Sequence, residues 1–237
     1  MSTGTNALRV LILQHEFDTP AGLIGDWLDH QKFDVDACRI DLEERDIDPR
    51  GYDLIVSLGS EHAAYDDELA LVTREMGLLR EAIEASVPVL GVCFGAQLLA
   101  RVLGGGVFRA AAAEIGWMCV RSNRPDLVPA GPWFQWHFDS FTTPPGAVLI
   151  AESSVGPQAF IHNRCLGLQF HPEVTSEIVA GWMQGAGDKL DGQDVDAAAL
   201  LRETAERLEE TRLMTWRLLE SYVDTVARVG REPLRNR

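Results

Sequence analysis

The stretch Pro88-Val-Leu-Gly-Val-Cys-Phe-Gly-Ala-Gln97 decides the fold. Pro88 to Val92 is a short apolar run of the kind that forms a strand buried on both faces, and helix-forming residues begin directly after Cys93. Glycines stand two positions before and two after the cysteine, at 91 and 95, where a sharp strand–turn–helix elbow leaves no room for a Cβ. Such a turn lifts the thiol out of the sheet at the carboxyl ends of the strands, where open α/β sheets bind ligands. It also sets the sulfur at a helix N-terminus, which favours thiolate. The plain alternative is a core cysteine between two packing glycines.

Working outward, Leu8 to Gln14 and Asp53 to Leu58 read as further buried strands, the second ending at Gly59, and Asp34 to Ile40 alternates as another. Helical spacing recurs in Pro20 to Asp29 (Leu23, Ile24, Trp27, Leu28) and in Glu68 to Ala85, whose inward stripe is Leu69, Val72, Met76, Leu79 and Ile83. The alternation predicts an α/β fold, a doubly wound and mostly parallel central sheet with helices on both faces. After Gly104 the pattern changes. Trp117 to Arg121, Ala147 to Ala151 and Gln158 to His162 are short strand-like pieces between Pro and Gly turns, read as antiparallel additions. Leu166 to Phe170 is a last buried strand, followed by His171-Pro172-Glu173 and a helix from about Val174. Gly185 to Asp194 reads as a short acidic linker, and Leu201, Ala205, Leu208, Thr215, Leu218 and Tyr222 as one face of a long final helix. The division is therefore an α/β domain over 1–185 and a helical C-terminal appendage over 186–237 packed on it. That helix is either a homodimer face or packing for the domain, and its stripe fits both.

With 237 residues, 46% of them hydrophobic, the chain can bury a sizeable core, which excludes bulk disorder. The 36 acidic against 21 basic residues give a net charge of −15, which repels phosphate backbones and anionic lipid. Neither nucleic acid nor membrane is an expected partner. No run approaches the roughly 18 apolar residues of a membrane helix. Met1 to Val10 carries no charged segment followed by an apolar one, so a cytoplasmic location is expected. Cys38, Cys93, Cys119 and Cys165 are far apart, and His15, His30, His62, His137, His162 and His171 show no ligand spacing. No metal or other cofactor is expected.

His171 and Glu173 follow the last buried strand, so they too emerge at a carboxyl end. Two residues apart in an extended segment, stiffened by Pro172, they would point the same way. Glu173 could then accept from one imidazole nitrogen while the other faces a nucleophile, the arrangement of a Cys–His–Glu triad. Alone, His-Pro-Glu would be an ordinary surface turn; the elbow at Cys93 makes the triad the better reading.

Together these pieces resemble the class I, triad-type glutamine amidotransferases, a flavodoxin-like fold, and in particular stand-alone members related to the glutaminase part of GMP synthetase. The resemblance rests on Gly91-Val-Cys-Phe-Gly-Ala-Gln97, on Gln169-Phe-His-Pro-Glu173 and on the strand-ending Gly59 loop. Glu114-Ile-Gly-Trp117, Trp136-His137 and Pro144-Pro-Gly146 add to it, and it covers about residues 8 to 185. It implies that Cys93 attacks the γ-carboxamide of glutamine to form a γ-glutamyl thioester that water hydrolyses. His171 would act as base and then acid, and Glu173 would orient it. It further implies an oxyanion hole from the backbone N–H of Phe94 and one from Gly59-Ser60, with Gln97, Trp136, His137 and Phe138 about the substrate. Phe94, as first residue of a helix, has an N–H free to donate.

Two positions depart from the family pattern: Ser60 stands where a second glycine is usual, and Phe138 where a glycine follows the histidine. The ring of Phe138, with Trp133, Phe134, Trp136 and Phe141 nearby in sequence, suggests a pocket for a γ-glutamyl amide with an apolar alkyl or aryl amine. Three functions remain in view: a hydrolase of glutamine or a γ-glutamylated amine acting alone, a glutaminase subunit feeding ammonia to a separate synthetase chain, and a non-catalytic scaffold.

Overall fold

The computed structural model of the protein describes residues 7–185, 193 and 195–227. The strands Arg9–Gln14 (β1), Leu54–Ser57 (β3), Val89–Val92 (β4) and Cys165–Leu168 (β9) are almost wholly apolar and lie side by side in parallel, with Asp34–Arg39 (β2) outside β1. Burial on both faces is what such runs demand. Val10, Ile12, Val56 and Leu90 turn to one face, under Gly22–His30 (α1) and the end of Ala197–Tyr222 (α5). Leu11, Leu13, Ile55 and Val89 turn to the other, under Ala70–Glu84 (α2) and Phe94–Val102 (α3). The alternation of side chains along each strand thus supplies two cores, one per face.

Beyond β9 the sheet continues antiparallel through Pro157–His162 (β8), Val148–Glu152 (β7) and Val107–Ser122 (β5) to Gly131–Phe141 (β6), giving nine strands in the order β2-β1-β3-β4-β9-β8-β7-β5-β6. The antiparallel additions expected from sequence are present. The β5–β6 hairpin is longer than expected: Trp117 to Arg121 is only the far end of β5, and 131–141, read from sequence as an aromatic cluster, is a strand. The register of β5 slips between Arg109 and Glu114, and that irregularity across Ala110 to Ala113 hides the strand's period.

Three local expectations need correction. Strand β9 ends at Leu168, so Gln169 and Phe170 form a bend and Pro172-Glu173 a turn rather than an extended segment. The inward face of α2 is Val72, Glu75, Leu78, Leu79 and Ala82, with Met76 and Ile83 at its margin. The buried face of α5 is Leu200, Thr204, Thr211, Thr215, Leu218, Leu219 and Tyr222, whereas Ala205 is exposed. Threonines at helical spacing carry this face, which a search for apolar residues does not register. Most of the expected Gly185–Asp194 linker lies outside the described residues, as do Met1 to Asn6 and the last ten residues of the chain.

Candidate active site

Strand β4 ends at Val92, and Cys93 turns the chain into α3 with φ +50° and ψ −105°, a conformation that non-glycine residues avoid. The two glycines make this turn feasible. A Cβ on Gly91 would lie 2.6 Å from the carbonyl oxygen of Gly95, and one on Gly95 would overlap Ser57. The Cys93 N–H donates to Leu168 O at 2.7 Å and that of Gly95 to Leu58 O at 3.1 Å, tying the elbow to both neighbouring strands.

The turn after β9 brings His171 to this elbow. Its N–H donates to Phe134 O on β6, Glu173 O accepts from Leu23 N–H at the start of α1, and Pro172 O accepts from the Thr215 hydroxyl of α5. Three elements thus hold one turn. Within it, His171 Nδ1 and Glu173 Oε1 are 2.7 Å apart, both side chains are buried, and Nε2 of His171 has no hydrogen-bond partner among the described residues. Trp182, on Ser176–Gly185 (α4), packs edge-on against the imidazole at 4.7 Å. Burial alone would lower the pKa of His171; the charges of Glu173 and of nearby Cys93, with the hydrogen bond to Glu173, outweigh that and push it up to about 10.

Cavities open on both sides of Cys93. One of about 200 Å³ is lined by Glu16, Asp18, Ser60, Trp136, Trp182 and His171. The other, of about 280 Å³, is walled by Phe94, Gln97, Arg109, His137, Phe138 and Asp139, and His171 is not part of it. Ser60 and Trp136 border both cavities and Gly59 the first, and a Cβ on Gly59 would come within 3.3 Å of His171 Cε1. Close approach therefore explains the glycine at 59. Ser60 has no left-handed φ, so its side chain imposes no backbone strain, and its hydroxyl donates to Glu16 at 2.7 Å.

The residues expected about the substrate behave differently from one another. Gln97 donates to Gln169 Oε1 and Asp139 O, while Gln169 points its amide at the Cys93 sulfur, 3.7 Å away. His137 is locked into the wall: Nδ1 meets Asp139 O, and Nε2 meets Gln135 and Glu114. Phe138 is half-buried with the Arg109 guanidinium over its ring, 4.7 Å from the centroid. It thus lines the cavity that does not include His171, whereas Trp182 lines the one that does and Trp136 borders both. Trp133, Phe134 and Phe141 are core. Sequence reading gave Gln169 no role of its own and passed over Arg109, Asp139, Glu16 and Trp182, which the fold brings here. Among the described residues no group of three or more His, Cys, Asp or Glu side chains is placed to hold a metal ion, and no helix is long and apolar enough to cross a membrane.

The model of one family, glutamine amidotransferase class-I, matches residues 24–179. GMP synthase [glutamine-hydrolyzing] of Thermus thermophilus is 36% identical over 144 residues, covering 55% of this chain and 29% of that protein. The protein of the same name from Streptococcus equi subsp. zooepidemicus is 34% identical over 148 residues, 57% of this chain and 27% of its own length. The chain therefore matches less than a third of these relatives. Among solved structures, a glutamine amidotransferase from Thermotoga maritima superposes with a TM-score of 0.84 at 29% identity, over 92% of this chain and 99% of the other. Another from Methylobacillus flagellatus gives 0.85 at 26% identity, over 97% and 100%.

Proposed function

We propose that this chain, which belongs to the class-I glutamine amidotransferase family, hydrolyses a γ-glutamyl amide through a thioester on Cys93. The observation that carries this reading is the open nitrogen of His171, buried and without a hydrogen-bond partner among the described residues, beside a cavity that His171 and Cys93 both line. The Cys93 thiolate attacks the γ-carbonyl carbon, and the carbonyl electrons move to an oxygen held by the N–H groups of Phe94 and Ser60. Nε2–H of His171 gives its proton to the amide nitrogen, the C–N bond breaks, and ammonia or an amine departs. Water then gives a proton back to Nε2, its oxygen attacks the thioester carbon, the C–S bond breaks, and glutamate leaves. Glu173 holds the ring and balances its charge through both steps.

This chemistry orients the substrate. The leaving amine must reach His171, so it belongs in the cavity lined by Trp136, Trp182, Glu16 and Asp18. The glutamyl head then occupies the other, where Arg109 faces an α-carboxylate and Asp139 an α-ammonium. A leaving side of about 200 Å³ exceeds what ammonia fills, which favours γ-glutamylated amines beside glutamine itself. The alternative, a glutaminase supplying ammonia to a separate synthetase chain, draws on relatives named GMP synthase, in which the matching part is under a third of the protein.

One assay separates the readings. Purified protein is offered glutamine and a panel of γ-glutamyl amides, with Cys93→Ala as control. Turnover of any of them that vanishes in the variant is expected. Turnover of glutamine only with an added synthetase favours the subunit, and no turnover in any mixture leaves a scaffold. Phe138→Gly should shift KM for glutamine and for a γ-glutamyl alkylamide together, leaving the ratio of their kcat/KM values within about threefold. A collapse of that ratio would return Phe138 to the leaving-group side.

A further inference from the structure

Beneath the elbow lies a second histidine–carboxylate couple that takes no part in the reaction just described. His15, at the end of β1, and Glu75, on the inward face of α2, are both fully buried. His15 Nε2 is 2.6 Å from Glu75 Oε2, and the Ser57 hydroxyl donates to Glu75 Oε1 at 2.6 Å. The other ring nitrogen, Nδ1, is 2.9 Å from the carbonyl oxygen of Gly59. That oxygen can only accept, so Nδ1 carries a hydrogen and donates to it. Burial alone would lower the pKa of His15, but the Glu75 carboxylate beside it more than offsets this and raises it. The ring of His15 also meets Phe94 edge-on at 4.8 Å.

We propose that His15, held by Glu75 and Ser57, is a positioning residue that aims the Ser60 N–H into the oxyanion hole. The argument is geometric. Peptide bonds here are trans, so the C=O of Gly59 and the N–H of Ser60 point in opposite directions across one rigid plane. Fixing the carbonyl on His15 directs that N–H away from the core, while the side of Gly59 where a Cβ would stand faces His171 and Cys93. The same ring buttresses Phe94, whose N–H is the second donor. One buried side chain thus sets both walls of the site where negative charge develops. The proposal rests on the thioester reading given above.

Two substitutions divide the two hydrogen bonds of His15. An asparagine amide can occupy the place of Nδ1 and keep the bond to Gly59 O, whereas a glutamine amide reaches the place of Nε2 and keeps Glu75 instead. The variants His15→Asn and His15→Gln are compared for kcat and KM on the best γ-glutamyl amide, and for alkylation of Cys93 by iodoacetamide. Alkylation displaces iodide at a methylene carbon and builds no oxyanion, so it reports on the thiolate and the elbow alone. The expected result is a kcat lowered about a hundredfold in His15→Gln, the scale of a lost oxyanion donor. His15→Asn should stay within tenfold of wild type, KM should change little in either, and alkylation should keep its wild-type rate in both. Wild-type kcat in His15→Gln would overturn the proposal. So would equal losses in both variants accompanied by equally slowed alkylation, because His15 would then merely support the elbow. A wild type that hydrolyses none of the amides would bring down the thioester reading and this one with it.

Discussion

Two buried histidine–carboxylate couples share nearly the same geometry, His171–Glu173 at 2.7 Å and His15–Glu75 at 2.6 Å, and both meet Gly59. In both, the carboxylate holds the imidazole pKa above its ordinary value against the pull of burial. They differ in one valence. The second nitrogen of His15 is spent on a backbone carbonyl, while that of His171 faces a cavity with no partner among the described residues. A satisfied couple has nothing left to exchange with a substrate and can only stiffen; an unsatisfied one stores a proton-transfer site. Burial, pairing and a shifted pKa are thus shared by structural and reactive histidines, and the open nitrogen separates them.

The largest effects should fall on opposite quantities in the two couples. His171→Ala is expected to lower kcat at least about a thousandfold, and Glu173→Gln less, since an amide still orients the ring but balances imidazolium poorly. Stability should change less there, because removing the ring joins its space to the adjoining cavity and lets water reach Glu173. His15→Ala should do the reverse to stability. It leaves Glu75 charged and enclosed without its partner, a loss on the order of 3–5 kcal/mol for a buried pair. For a chain of this length that corresponds to a fall in Tm of about 10 °C, measured by thermal denaturation. Equal Tm values for the two alanine variants would erase the contrast.

The contact between His171 and Glu173 was legible in the sequence and that between His15 and Glu75 was not, for a physical reason. Cys93 announces itself through Gly91 and Gly95 because a tight elbow excludes Cβ atoms within a few residues. His171 and Glu173 are neighbours in the chain. The parallel half of the fold was legible in the same way, from the apolar runs of β1, β3, β4 and β9, each a local property. His15 and Glu75 are 60 residues apart and meet only because β1 and α2 lie together in the folded sheet. A trace existed: Val72, Glu75, Leu79 and Ala82 share one helical face, and a carboxylate on an apolar stripe demands a buried partner. Arg109 and Asp139 likewise come together through strand pairing, and the slipped register of β5 hid that pairing.

Gly59 is where the couples touch, and Gly59→Ala probes both at once. The added methyl would stand 3.3 Å from His171 Cε1 and 3.8 Å from Cys93 Cβ, so the imidazole or the loop must yield by a few tenths of an ångström. No left-handed φ is involved, and the fold should tolerate the change. A kcat reduced about tenfold with Tm within a few degrees is expected, since catalytic groups displaced by a fraction of an ångström lose much of their alignment. Unchanged kcat would mean that the loop is free to move, contrary to its bond with His15.

The smallest effect isolates the charge that the two couples do not share. The pKa of His171 is raised to about 10 by Glu173 and Cys93 together, against burial. That of His15 owes its rise mainly to Glu75, and Cys93 is not among its causes. Removing the sulfur in Cys93→Ala should therefore lower the titration midpoint of His171 and leave His15 where it was, as followed by the imidazole resonances in NMR. Stability follows with a definite sign. A histidine whose folded pKa lies above its unfolded value of about 6.5 contributes fully below that pH and loses its contribution as pH climbs through the folded value. The wild type should thus lose stability between about pH 6.5 and 10, and Cys93→Ala should lose what His171 contributes at lower pH, while the share due to His15 cancels in the difference. If the His171 midpoint does not move in the variant, the charge of Cys93 does not contribute to its rise, and Glu173 alone holds it up.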